Sequence, residues 1–258
     1  MSELPDYVLK NREHWDKHAA SWVAAGERNW VAEPSWGMWG VPESDLQLLP
    51  ADMTGMHAIE LGCGTGYISA WLIRRGAKVV GMDNSERQLA TARRLAEEHG
   101  AALELIHGNA ESVPKPDASF DFAVSEYGVA IWADPHKWVP EAHRLLKPGG
   151  ELVMLGNHPL TMCVQDFTSD APLTYTLMEP YFGMGRIDWD DGDDQGTEFN
   201  MPVSEWFKLW DDVGFDVVAY HELQAPEGGD EVSFFVTKDW AHRYPSEQVW
   251  KVRKRPAG

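Results

Sequence analysis

Three alternating glycines, Gly62, Gly64 and Gly66, follow an apolar run in the stretch ELGCGTG (Glu60 to Gly66), and a second apolar run ends on Asp83. Glycines after a strand let the backbone pass close to a ligand, and in open α/β sheets ligands bind outside the carboxyl ends of the strands. A phosphate cradle needs Gly-x4-Gly-Lys-Ser/Thr, which is missing here. A dinucleotide site needs Gly-x-Gly-x-x-Gly, and its third glycine is replaced by Tyr67. The turn therefore suits a nucleotide-like ligand without a phosphate grip. Candidate bases for the same sheet edge are His158, after the fifth expected strand, and Glu126, Tyr127 and His136 around the fourth. His158 could equally be a capping or packed histidine, and His143, inside a helical pattern, reads as structural. His14 and His18 are four apart on a helical pattern. No third ligand or His-Glu-x-x-His pattern accompanies them in sequence, so no metal is expected. DWDDGDD (Asp188 to Asp194) fails as a calcium loop: its glycine comes one place early and Phe199 stands where the bidentate Glu belongs.

The elements that must position these residues alternate. Strands are expected over His57 to Leu61, Lys78 to Met82, Leu103 to His107, Phe120 to Ser125 and Glu151 to Gly156. Helices are expected over Tyr67 to Arg75, Ser85 to His99 and Pro135 to Leu146, the last stopped by KPGG (Lys147 to Gly150). That rhythm implies an α/β fold with right-handed crossovers and a parallel sheet. A first helix over residues 6–25, an ordered Trp-, Gly- and Pro-rich loop over 26–42 and a short helix from Ser44 to Leu49 precede it. Residues 1–50 are thus expected to form a helical lid on a domain of residues 51–258. Residues 157–201 are too long for a plain loop and are expected to form an insertion capping the sheet's carboxyl edge. A helix from Val203 ending at Gly214 and strands over Asp216 to Leu223 and Glu247 to Arg255 complete the chain.

The chain has 258 residues and a net charge of −19, which disfavours nucleic acid and anionic membranes as partners. Its two cysteines, Cys63 in the glycine turn and Cys163, read as free thiols of a reducing compartment. With no apolar leader and no run long enough to span a bilayer, a cytoplasmic protein is expected. Thirteen tryptophans are many, and five of them crowd the first forty residues, as a pocket wall or lid would.

ELGCGTG followed by VVGMDNS (Val79 to Ser85) resembles the S-adenosyl-L-methionine core of the class I methyltransferases. GNAESVP (Gly108 to Pro114), SFDFAVSEYGVAIW (Ser119 to Trp132) and EAHRLLKPGGELVML (Glu141 to Leu155) extend the resemblance over about residues 55–157. The resemblance implies a Rossmann-like, seven-stranded, mostly parallel sheet with helices on both faces and an antiparallel final pair. It also implies a cofactor without phosphate. Gly62, Cys63, Gly64, Thr65 and Gly66 would pass under its methionine and ribose, and Glu60 would organise the amine end. Asp83 would hold both ribose hydroxyls, with Asn84 and Gln88 close by. Asn109 replaces the family's usual Asp at the adenine amino group; its amide oxygen still accepts, without the charge. Ala110 and Glu111 follow on the adenine side, Ser125 lies at the end of the fourth strand, and Trp22 is the candidate aromatic beside the sulfonium.

Methyl transfer from a sulfonium is an in-line displacement that asks mainly for alignment and exclusion of water. The expected activity is transfer to a small-molecule acceptor, at oxygen or nitrogen of an aromatic or heterocyclic metabolite, leaving S-adenosyl-L-homocysteine. His158 is the candidate base. The alternatives are a non-catalytic cofactor-binding protein and an NAD-dependent oxidoreductase. The oligomeric state stays open.

Overall fold

A computed structural model describes residues 4–167, 169 and 171–256. In chain order the elements are α1 (Asp6–Val31), β1 (Ser35–Trp36), β2 (Val41–Pro42), α2 (Glu43–Leu46), β3 (His57–Leu61), α3 (Tyr67–Arg74), β4 (Lys78–Asp83) and α4 (Glu86–Glu98). Then come β5 (Leu103–His107), β6 (Phe120–Glu126), α5 (Val129–Trp132), α6 (Pro135–Leu145), β7 (Leu146–Asn157) and α7 (Pro159–Val164). The last stretch holds β8 (Arg186–Asp190), β9 (Gln195–Phe199), α8 (Val203–Val213), β10 (Phe215–Leu223), β11 (Val232–Ser233), β12 (Val236–Thr237), α9 (Lys238–Arg243) and β13 (Glu247–Lys254).

Seven strands form one sheet in the order β10-β13-β7-β6-β3-β4-β5. The five strands from β7 to β5 run parallel, and β13 is antiparallel to both β7 and β10. Alternation along the strands feeds two cores, as a two-sided sheet requires. Ile59, Leu61 and Leu152 meet Trp138, Trp206 and Trp210 from α6 and α8 on one face. Ala58, Val79 and Phe122 meet Ile68, Trp71 and Leu72 from α3 on the other. Reversal of strand order beside β3 leaves the ends of β3, β4 and β6 as the crevice where such sheets bind ligands. No helix among the described residues is long and apolar enough to cross a membrane.

Two expectations are corrected, and the expected insertion gains its elements. The first helix runs on to Val31 instead of stopping before Gly26. A Cβ at Gly26 would lie 2.7 Å from Thr65 Oγ1, so this glycine is a site of close packing against the glycine turn, not a stop. β7 begins at Leu146, because KPGG continues in extended backbone after ending α6. The segment 157–201 contains a helix, α7, and a hairpin, β8–β9, whose second strand packs on α1.

Candidate active site

The glycine turn is pinned from below. The N–H groups of Gly62 and Cys63 both donate to Met82 O, at 2.8 and 2.9 Å, and Gly66 N–H donates to Cys63 O at 2.8 Å. Gly66, in the left-handed region at φ 77°, starts α3. Two of the glycines have opposite surroundings. A Cβ at Gly62 (φ 74°) would stand 2.7 Å from Gly128 Cα, so the turns after β3 and β6 touch backbone to backbone. A Cβ at Gly64 (φ 51°) would meet nothing within 4 Å. The turn is therefore braced at Gly62 and presents bare backbone to open space at Gly64.

Asp83 sits beside that space. Its Oδ2 accepts Gly64 N–H at 2.7 Å and its Oδ1 accepts Ser85 N–H at 2.8 Å. Both oxygens are thus fixed in direction, and each keeps a lone pair for an incoming hydroxyl. Burial pushes this carboxyl up, against the pull of the Ser85 and Gly64 N–H groups. Glu60 is buried beneath the turn and accepts from both N–H and Oγ–H of Ser69, while burial lifts its pKa to about 8. Gln88, on the first turn of α4, is 4% exposed, and its Oε1 has no hydrogen-bond partner. A carboxylate with both oxygens directed, an unpartnered buried acceptor and a bare glycine backbone would fit a nucleoside without phosphate.

Other residues expected at the cofactor are committed elsewhere. Asn84 accepts from Arg12 Nε at 3.0 Å and donates to Val8 O at 2.7 Å, so its amide ties β4 to α1. Asn109 Oδ1 caps its own turn by accepting Glu111 N–H at 3.1 Å, with one lone pair left for an adenine amino group. The Glu111 carboxylate receives Tyr7 Oη–H at 2.8 Å and Asp134 N–H at 3.0 Å, which leaves Ala110, buried between them in sequence, to offer backbone only. Ser125 is fully buried and accepts Val129 N–H, so it shapes the turn after β6. Trp22 stacks on Phe234 and lies beside Trp15, which meets Trp132 edge-on. The α1 tryptophan that touches the glycine turn is Trp30, whose Nε1–H donates to Thr65 O at 2.7 Å.

His158 is corrected to a cap. It is 6% exposed, its Nδ1 accepts Leu160 N–H at 3.1 Å and its Nε2 faces Glu222 Oε1 at 3.1 Å. Accepting at Nδ1 fixes the Nε2–H tautomer, so no ring lone pair remains to take a substrate proton. His136 is exposed on α6. For His14 and His18, folding supplies the third donor absent from their sequence neighbourhood: both rings meet Asp194 at the β8–β9 turn.

A strap over the sheet edge is the feature that sequence reasoning missed. Gly37 N–H donates to Glu126 Oε1 at 2.7 Å, and Met38 N–H donates to Glu247 Oε1 at 2.8 Å. Tyr67 Oη–H donates to Glu126 and Tyr127 Oη–H to Glu247. Two acids and two phenols at the strand ends thereby fasten the β1–β2 turn. Glu247 Oε2 is buried without a partner, and burial together with the Glu126 charge raises this group to about 7. Tyr127 holds a left-handed φ of 54°, an uncommon conformation for a bulky residue and one found at functional turns. The sequence signals were Glu126 and Tyr127, both candidate bases at this edge; nothing around Glu247 marks it.

These raised carboxyls carry a sign. A buried acid whose folded pKa exceeds its unfolded value contributes stability below the ordinary carboxyl range and loses it as pH rises through the folded pKa. Between pH 6.5 and 8.5, Glu60 and Glu247 must ionise while buried. The ligand-free protein is expected to melt about 5 °C lower at the alkaline end, relative to Glu60→Gln measured alongside. Parallel melting curves of the two proteins would refute this assignment.

Comparison with known proteins places the fold in a family. The family described as a methyltransferase domain matches residues 59–154. The chain is 32% identical over 197 residues to a demethylmenaquinone methyltransferase of Lactococcus lactis, covering 72% of this chain and 75% of that protein. It is 30% identical over 157 residues to the rice 2-methyl-6-phytyl-1,4-hydroquinone methyltransferase 1, covering 59% of this chain and 46% of the relative, so it spans about half the length of that protein. A solved S-adenosylmethionine-dependent methyltransferase of Mesorhizobium loti superposes with a TM-score of 0.64 at 22% identity, over 82% of this chain and 96% of that one. The [4+2]-cyclase SpnF superposes with a TM-score of 0.65 at 17% identity, over 99% of this chain and 100% of its own. The chain belongs to the class I S-adenosylmethionine-dependent methyltransferases. Its cofactor is that family's, S-adenosyl-L-methionine.

Proposed function

We propose that the protein transfers the cofactor's methyl group to oxygen or nitrogen of an aromatic or heterocyclic small molecule. The observation that carries the reading is the set of buried acids in the site floor. Glu60, Asp83, Glu126 and Glu247 gather at one sheet edge, and among the described residues no Lys or Arg pairs with any of them. Acids buried without cationic partners suit a cationic ligand, because the ligand's charge offsets their desolvation. When bound, the cofactor supplies an activated methyl on a sulfonium; the protein's residues orient and enclose it. Asp83 and the backbone at Gly64 hold the nucleoside, and the strap at Gly37 and Met38 keeps water from the edge. Residues 1–50 act as the lid, through Arg12 and Tyr7 on the β4 and β5 loops. The segment 157–201 acts as the cap. The aromatic row Trp132, Trp15, Trp22 and Phe234 gives that cover an apolar lining.

The acceptor class has two supports. Relatives carry the names of quinone and hydroquinone methyltransferases, and an acidic chain disfavours polyanionic acceptors. The cytoplasmic setting rests on two buried free thiols. The test is transfer of labelled methyl to a panel of phenols, quinols and N-heterocycles. Labelled product is expected, with turnover of His158→Asn within about twofold of wild type, since that ring only caps a helix. S-Adenosylhomocysteine binding with no transfer to any acceptor would sink the enzymatic reading and leave a cofactor-binding protein. The superposition on a [4+2]-cyclase is a reminder that fold alone does not fix the reaction.

A further inference from the structure

We propose that His14, His18 and Asp194 form a binding site for one borderline divalent transition-metal ion of the Zn²⁺ or Co²⁺ type, which staples α1 to the β8–β9 turn. His14 and His18 lie one turn apart on α1, with ring centroids 4.7 Å apart. His14 Nδ1 is 2.9 Å from Asp194 Oδ2, and His18 Nε2 approaches the same oxygen. All three donor atoms lie within 4.8 Å of one another. Metal–ligand bonds of about 2.0–2.2 Å require donor atoms roughly 3.0–3.5 Å apart, so the two His–Asp194 contacts need only open slightly, while the imidazole nitrogens already lie within 4.8 Å of one another. Two imidazole nitrogens with one carboxylate suit Zn²⁺, Co²⁺ or Ni²⁺; Mg²⁺ and Ca²⁺ prefer oxygen shells.

The cluster is held in place independently of any ion. One turn before His14, Asn11 donates to Thr197 O at 2.9 Å and accepts Thr197 N–H at 2.8 Å, which fixes the register of α1 on β9. The second Asp194 oxygen accepts Gln195 N–H at 3.0 Å, and Asp194 N–H donates to Asp191 Oδ1 at 2.8 Å, so the turn's own backbone fixes the direction of the carboxylate, as hydrogen bonds behind metal ligands do. The His14 ring stacks on Trp132 and meets Trp15 and Trp189 edge-on, which walls the inner side. The His18 side chain is 41% exposed, which leaves the outer side to water as remaining ligand. Since Trp132 ends α5, just past the Gly128 turn, an ion here would stiffen the cover of the active site. The proposal does not depend on which acceptor is methylated, or on whether any is.

The test uses tag-free, chelator-stripped full-length protein, titrated with Co²⁺ by visible absorption and with Zn²⁺ by calorimetry. One equivalent is expected to bind with Kd below about 10 μM, and Zn²⁺ at about a hundred times Kd to raise Tm by about 5–10 °C. His14→Ala and Asp194→Asn should each weaken binding at least tenfold, while His57→Ala, at an exposed histidine elsewhere, should leave it unchanged. Should His14→Ala fail to fold, the isosteric Asp194→Asn decides. No Co²⁺ bands and no Zn²⁺ heat up to about 100 μM, or binding that survives in Asp194→Asn, overturns the proposal and leaves an ordinary His–Asp ion pair.

Discussion

Replacing Asp83 with alanine is expected to abolish measurable binding of S-adenosylhomocysteine, a loss of at least about a hundredfold. The ligand's two ribose hydroxyls would donate to two carboxylate oxygens already aimed by Gly64 N–H and Ser85 N–H. Hydrogen bonds to a charged acceptor contribute about 1.5–3 kcal/mol each, so losing both costs about 3–6 kcal/mol. Asparagine does not rescue the site. Both Asp83 oxygens accept a backbone N–H, so wherever the amide NH₂ points it confronts a donor. Calorimetric titration gives the affinity, and the far-UV spectrum and Tm confirm that the variant still folds. Wild-type affinity in a folded Asp83→Ala protein would mean that the nucleoside is held elsewhere, and the cofactor geometry described above would be wrong.

Asp83 was legible because its chemistry and its place coincide. An apolar run that stops on an acid, one helix after a glycine turn, marks a strand end at the crevice. The parallel sheet and the KPGG stop could be read for the same reason, since local pattern dictates them, whereas the antiparallel final pair came from the family resemblance alone. What escaped depends on contacts distant in sequence. Gly26 looks like a helix stop until Thr65 is found against it. Asn84 looks like a ribose neighbour until Arg12 and Val8 take its amide. Glu247 is one acid in a strand 120 positions beyond its phenol partner Tyr127, and no periodicity announces that pairing. Asp194 reads as part of a solvated acidic run, and only the packing of β9 on α1 carries it to His14 and His18. His158 was found at the right edge, but its role turned on which hydrogen bonds its two nitrogens make, and sequence does not encode that locally.

Alanine at Gly62 and alanine at Gly64 are expected to fail in opposite ways. Both glycines hold left-handed backbone, at φ 74° and 51°, so each substitution carries an intrinsic cost of about 1–2 kcal/mol. At Gly62 a clash is added: the new methyl would lie 2.7 Å from Gly128 Cα and 3.1 Å from Val129 N. Neither side can yield easily. Gly62 N–H is held by Met82 O, and Val129 N–H is held by Ser125 Oγ. Overpacking of backbone on backbone adds about 1–3 kcal/mol, so Gly62→Ala should melt about 10 °C below wild type. At Gly64 the methyl meets nothing within 4 Å, so the same substitution should lower Tm by only a few degrees. The space it fills is the space a ligand needs in order to lie on this backbone and reach Asp83. Gly64→Ala should therefore stay folded while losing cofactor affinity by tenfold or more, a loss that its small change in stability cannot account for. Thermal melts with and without S-adenosylhomocysteine separate the two, since a folded protein that no longer gains stability from the ligand has lost the site and kept the fold. Should Gly64→Ala bind as tightly as wild type, the open face of the turn is not where the cofactor lies.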